Sequence, residues 1–214
     1  MLEGEKIMKK FISVMPLQPK QNLIKSIYKA VGNEKLNCGF ETAFPVITLI
    51  NGFAKKDEKI EVIILRHQYA NSIENYKVFE EEISSLSEKK GFSYELNVID
   101  VPYDNSPSVH LNTFAKLAEQ IDDEDCVNAC VTYGTKPLSQ VEIMAINFAY
   151  RAKRDCTIGA IVYGEFDHNE KKAKVYDITN LFFMDEMVRT LAEHGVGEPM
   201  KAIKSLAMID EGEE

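Results

Sequence analysis

The sequence has no tryptophan, four cysteines, four histidines and no apolar run near the length of a membrane span. A span needs about 20 consecutive apolar residues, and no signal-peptide pattern opens the chain, so the protein reads as cytoplasmic. Cys38, Cys126, Cys130 and Cys156 are too sparse in 214 residues for a disulfide framework. Cys126 and Cys130 share one apolar strand-like run and read as reduced core residues. His67, His110, His168 and His194 are scattered without paired spacing, so no metal site is expected. Both G-x-G-x-x-G and G-x-x-x-x-G-K-[ST] are missing, so dinucleotides and nucleoside triphosphates lack their usual signatures, and no cofactor is expected. Positive charge is also short: 25 Lys and Arg against 34 Asp and Glu leave a net charge of −9. That argues against broad binding to a nucleic-acid duplex, while leaving room for a small anion in one locally positive pocket.

What is present is an alternation of strands and helices. Phe11 to Met15 form a short apolar strand stopped by Pro16 and Pro19. A helix follows Pro45 and ends near Gly52. "KIEVIILR" (59–66) is a buried-strand run. Ile73, Tyr76, Phe79, Ile83 and Leu86 then share one helical stripe before Gly91. A strand spans 92–100, and the next helix places Leu111, Phe114, Ala115, Ala118 and Ile121 on one face. "CVNACVT" (126–132) is the fourth strand. Val141, Met144, Ala145, Phe148, Ala149 and Ala152 keep helical spacing after it. Apolar "TIGAIVYG" (157–164) and "AKVYDIT" (173–179) are joined by a connection too short for a crossover, which predicts an antiparallel hairpin. A last helix is capped by Thr179 or Asn180. This pattern predicts an α/β, Rossmann-like fold: a mostly parallel sheet with helices on both faces and a C-terminal β-hairpin. Residues 1–8 read as a lead-in, 9–195 as one domain, and 196–214 as an acidic-ended tail or the start of a linker.

In such sheets ligands bind outside the carboxyl ends of the strands. Two loops stand there: Met15, Pro16, Leu17, Gln18 and Pro19 after the first strand, and the start of "VTYGTKPLSQ" after the fourth. In the second, Gly134 permits close backbone approach or a positive φ. Pro137 opens a helix whose free N–H groups attract anions. Lys136 adds a mobile positive charge, Thr132 and Thr135 offer hydroxyls, and Tyr133 offers a ring for stacking or a donor. Together they suit a phosphate-bearing ligand, although an ordinary strand–helix turn with a surface lysine accounts for the same residues.

From about residue 126 to 195 the chain resembles the CARF domain (CRISPR-associated Rossmann fold) of type III CRISPR accessory proteins. In that family the fourth strand runs into D-I-T-H-G-F-R-S; here Cys130, Val131, Thr132, Tyr133, Gly134, Thr135, Lys136 and Pro137 stand in its place. Tyr163-Gly164-Glu165 and then Asp177-Ile178-Thr179 match the family's Y-G-E and D-[LI]-T in order. Tyr133 replaces the family's histidine, Thr135 its phenylalanine and Lys136 its arginine, which leaves a polar, cationic loop. The resemblance implies a CARF-like domain over 9–195 and a homodimer that binds a cyclic oligoadenylate across its two-fold axis. Tetra-adenylate is the ring whose symmetry suits a site built from two copies of one loop. The ligand-binding residues would then be Met15, Pro16, Leu17, Gln18, Thr132, Tyr133, Gly134, Thr135, Lys136 and Pro137.

Three functions follow: a sensor that signals to a fused or separate effector, a metal-independent ring nuclease, or an unrelated small-nucleotide-binding Rossmann-like domain. In the nuclease, the 2′-hydroxyl attacks the neighbouring phosphate; Lys136 would stabilise the phosphorane, with Thr135 or Tyr133 orienting the ribose. No general base is visible, which favours the sensor. Arg189 and His194 have the R-x4-H spacing of HEPN ribonucleases, yet sit roughly 140° apart on a helix and read as a solvated helix end. Glu165, Asp167 and His168 read as a polar hairpin tip. The acidic C-terminus is a solvated tail, or the approach to an effector domain.

Overall fold

Residues along β1 (Lys9–Val14) alternate between two apolar layers, and the rest of the sheet repeats that alternation. The computed structural model describes residues 7–209; of the lead-in and tail, residues 1–6 and 210–214 lie outside the described residues. The elements run β1, β2 (Tyr28–Val31), α1 (Pro45–Phe53), β3 (Lys59–His67), α2 (Ala70–Lys90), β4 (Ser93–Val101), α3 (Pro107–Ala118), β5 (Cys126–Cys130), α4 (Lys136–Ala152), β6 (Thr157–Asp167) and β7 (Lys172–Asp177). They form a seven-stranded sheet ordered β2-β7-β6-β5-β1-β3-β4, parallel throughout except for the β6–β7 hairpin. The fold is therefore α/β and Rossmann-like. Phe11, Met15, Val62, Ile64 and Val162 pack with Phe44, Ile47, Phe79 and Ile83 of the α1–α2 layer. Across the sheet, Ile12, Val14, Ile63, Val127 and Ala129 are buried on the face toward α3 and α4.

This first compact unit ends at Asp177. A second unit begins at Ile178 and contains α5 (Thr179–Glu193) and α6 (Pro199–Ile209). No helix among the described residues is long and apolar enough to cross a membrane.

Several sequence expectations are corrected. β2 carries no strand signal: it has four residues, and its pairing with β7 (Tyr28 opposite Ala173) is what makes it a strand. The fourth predicted strand stops at Cys130, not Thr132. On α2, Ile73 is exposed while Tyr76, Phe79, Ile83 and Leu86 are buried as expected. The expected stripes on α3 and α4 hold in part: Ala118, Ile121, Val141, Ala145 and Ala149 are buried, but the buried faces are turned toward other residues. α3 buries Thr113, Leu117 and Ala118, and α4 buries Leu138, Val141, Glu142, Ala145, Ile146 and Ala149. Leu111, Met144 and Phe148 instead point outward, 70%, 60% and 46% exposed. Each helix has two apolar arcs, and periodicity alone does not say which one meets the sheet.

Two buried charges are handled differently. Lys10 reaches Glu61 at 2.9 Å, Asp125 at 3.2 Å, Asp122 at 3.3 Å and the Gln120 carbonyl at 2.6 Å. Glu142 is fully buried on α4, and neither carboxylate oxygen has a hydrogen-bond partner. Burial alone drives its pKa well above the ordinary glutamate value. Because the folded pKa lies above the unfolded one, this group's favourable contribution is complete below the unfolded pKa. It is lost as pH climbs toward the folded pKa. Glu142→Gln is therefore expected to match wild type in acid and gain on it as pH rises, by at most about 1.4 kcal/mol per pH unit. Urea unfolding from acid to mildly alkaline pH checks this; a constant difference between the two proteins would contradict it.

Candidate functional site

β1 and β5 are hydrogen-bonded parallel neighbours, with Ser13 opposite Cys130, so their following loops leave the same edge of the sheet. The Met15 N–H donates to the Leu65 carbonyl at 2.9 Å, extending the β1–β3 ladder by one residue. Met15 and Pro16 are buried and support the first loop from beneath; Leu17 and Gln18 are half-exposed.

The second loop is built almost wholly from internal bonds. Thr132 Oγ1 accepts the Gly164 N–H at 2.8 Å and contacts Cys130 Sγ at 3.2 Å. The Tyr133 hydroxyl donates to the Ala43 carbonyl at 2.7 Å, and its ring meets Phe44 edge-on at 6.4 Å. Burial, reinforced by Tyr28 and Cys130, holds this phenol far above the usual tyrosine pKa, and burial also pushes Tyr28 up to about 12. Tyr133 is thus a tethered, protonated side chain. Thr135 is the N-cap of α4, its hydroxyl accepting the Leu138 N–H at 3.3 Å. Lys136 and Pro137 form the exposed first turn of the 17-residue α4, at the positive end of its dipole; Pro137 has no N–H, and those of Leu138 and Ser139 are taken by Thr135.

Between the two loops lies a cleft of about 120 Å³. Gln18 and Asn22 line it from the first loop, Thr132 and Tyr133 from the second, Tyr28 from β2, and Glu165 and His168 from the hairpin. The sequence reading of the hairpin tip divides here. Asp167 caps the turn by accepting from Asn169 N at 2.8 Å and Glu170 N at 3.0 Å, whereas Glu165 and His168 face the cleft. Glu165 is held by the Tyr176 hydroxyl at 2.7 Å. Arg189 is exposed on α5, and His194 Nδ1 lies 2.8 Å from the Thr190 carbonyl, as a helix-end residue would. No motif or period marks Tyr28, Asn22 or the α2 residues Asn71 and Asn75, whose amides donate to first-loop carbonyls, so the sequence does not reveal them.

The cleft and the α4 N-terminus with its exposed Lys136 thus stand at the same edge of the sheet. No protein-family model matches the chain, and no curated protein matches it.

Gly134 has φ +96°, and a Cβ there would lie 2.6 Å from Val14 Cγ1. Gly134→Ala is expected to displace the loop and cost about 1–3 kcal/mol. Chemical denaturation checks the cost, and a variant as stable as wild type would show that the loop tolerates a side chain.

Proposed function

We propose that this protein is a cyclic oligoadenylate sensor of type III CRISPR antiviral signalling, with cyclic tetra-adenylate the preferred ring. The observation that carries the reading is the convergence of the Met15–Pro19 and Thr132–Pro137 loops at one sheet edge, beside a helix N-terminus bearing Lys136. Motif order in the sequence supports the family reading, and the convergence of the loops supports the position proposed for the ligand. Phosphates would meet Lys136 and the positive end of the α4 dipole, and adenines would enter side pockets such as the cleft between the loops.

One subunit's loops flank the ring on one side only, so the ligand is shared by a two-fold dimer. The exposed strip of Leu111, Met144 and Phe148 supports such pairing, since apolar side chains grouped on neighbouring helices favour burial against a partner. In this reading the ring's binding reorganises the dimer and passes the signal to an effector.

A second reading, metal-independent ring cleavage, draws support from His168, read in the sequence as part of a polar hairpin tip, whose imidazole lines the cleft. Tyr133 is a poor base here, because its proton is held by burial and donated to Ala43.

Lys136→Ala is expected to weaken cyclic tetra-adenylate binding by about 1.5–3 kcal/mol, the range for charged hydrogen bonds. Wild-type protein should return the ring intact after prolonged incubation with EDTA, read by chromatography. Multiple turnovers to linear products ending in a 2′,3′-cyclic phosphate would reject the pure sensor. Failure to bind any cyclic oligoadenylate would reject the family reading.

Light scattering is expected to show a dimer for wild type and a monomer for Met144→Asp. A wild-type monomer at micromolar concentration, with and without ligand, would count against the shared site.

A further inference from the structure

Both ligand loops are tied to one face of α2. Asn75 is fully buried, and its Nδ2 donates to the Pro16 carbonyl at 3.0 Å and the Gln18 carbonyl at 2.8 Å. Asn71 Nδ2 donates to the Leu17 carbonyl between them at 3.0 Å. Two asparagines one turn apart thus capture three consecutive carbonyls of the first loop. Two turns further along, the Glu82 carboxylate accepts from Thr42 Oγ1 and, at 3.4 Å, from the Ala43 N–H. The carbonyl of that same Ala43 accepts the Tyr133 hydroxyl of the second loop. Lys25, beyond the first loop, closes on Glu82 at 3.0 Å. At about 100° per residue, positions 71, 75 and 82 fall within about 40° of one another. One helical stripe therefore reaches both loops, directly at one and through the Thr42–Ala43 segment at the other.

We propose that α2 is the strut that sets the separation of the two loops, with Asn75 and Glu82 as positioning residues for the cyclic oligoadenylate. The ligand part rests on the function proposed above; the strut does not. The loop carbonyls and the Tyr133 hydroxyl are satisfied by protein, so the loops are held in shape before ligand arrives, and less ordering entropy opposes binding. Asn75 serves this purpose because its amide supplies two donors. Asp has the same shape and no donor when ionised, so Asn75→Asp separates bonding from filling space.

The test is backbone 15N relaxation of the ligand-free protein together with calorimetric titration of cyclic tetra-adenylate. In wild type, Leu17, Gln18, Tyr133 and Gly134 are expected to be as rigid as the sheet. Asn75→Asp should drop the order parameters of Leu17 and Gln18 below about 0.6, and Glu82→Ala those of Tyr133 and Gly134. The amides of β4 should be unchanged in both. Each variant should bind the ring at least about tenfold more weakly. If Asn75→Asp does not fold, Asn71→Ala, which removes a single half-buried donor, replaces it at Leu17. Loops that stay rigid in the variants overturn the strut, whatever the ligand does. Loops that soften with ring affinity unchanged overturn the positioning role. Loops that soften in a protein whose wild type binds no cyclic oligoadenylate leave the strut standing and remove the ligand reading.

Discussion

The parallel ladder of β1 with β3 on one side and β5 on the other places Ser13 level with Ile64 and with Cys130. Parallel strands point their carboxyl ends the same way, so the loops after β1 and β5 emerge side by side, and the N-terminus of α4 opens at the same edge. A register shift of one residue would send Phe11 and Met15 to the wrong layer of the core. Burial of those side chains therefore fixes where the loops begin. The cleft, the exposed Lys136 and the anchoring of both loops on α2 all presuppose that alignment.

Most polar groups of the two loops are used inside the protein. Thr132 holds β6 through Gly164, Tyr133 holds the segment before α1, and Thr135 caps α4. Such bonds leave little freedom to lose on binding, and they also remove the obvious hydroxyls from catalysis. What remains directed outward is the first turn of α4, Lys136, Gln18 and the side chains around the cleft. An acidic chain is compatible with an anionic ligand at this spot, because the attraction comes from a few groups at short range and not from net charge.

The exposed strip on α3 and α4 shows that apolar spacing on a helix does not by itself mark burial. Leu111, Met144 and Phe148 have the spacing of core residues, yet of the expected α4 stripe only Val141, Ala145 and Ala149 are buried, alongside Leu117 of α3. The edge-on contact of Phe114 with Phe148 at 5.8 Å joins the two helices across their outer side. A helix that is apolar over so wide an arc is suited to two partners, the sheet within and another surface without.

Periodicity, Gly and Pro placement and the short β6–β7 connection were enough to give the fold class, the order of every strand but β2, and the two loops at the carboxyl edge of the sheet. These signals are local, and each strand or helix carries its own. β2 was illegible because four residues hold no period, and its strand conformation comes from β7. The roles of Asn71, Asn75 and Glu82 were equally silent: asparagine and glutamate on a helix ordinarily face water, and only the packed chain brings loop carbonyls and the Thr42–Ala43 segment within their reach. Tyr133 could be read from sequence as a free stacking ring, whereas the tertiary structure commits its hydroxyl to Ala43, ninety positions earlier. By itself the sequence determined which of the longer segments become strands and helices, because those choices depend on neighbours a few residues away. Only the tertiary structure decided which polar side chains are free to meet a ligand, because a buried donor or acceptor must find its partner wherever in the chain the fold supplies one.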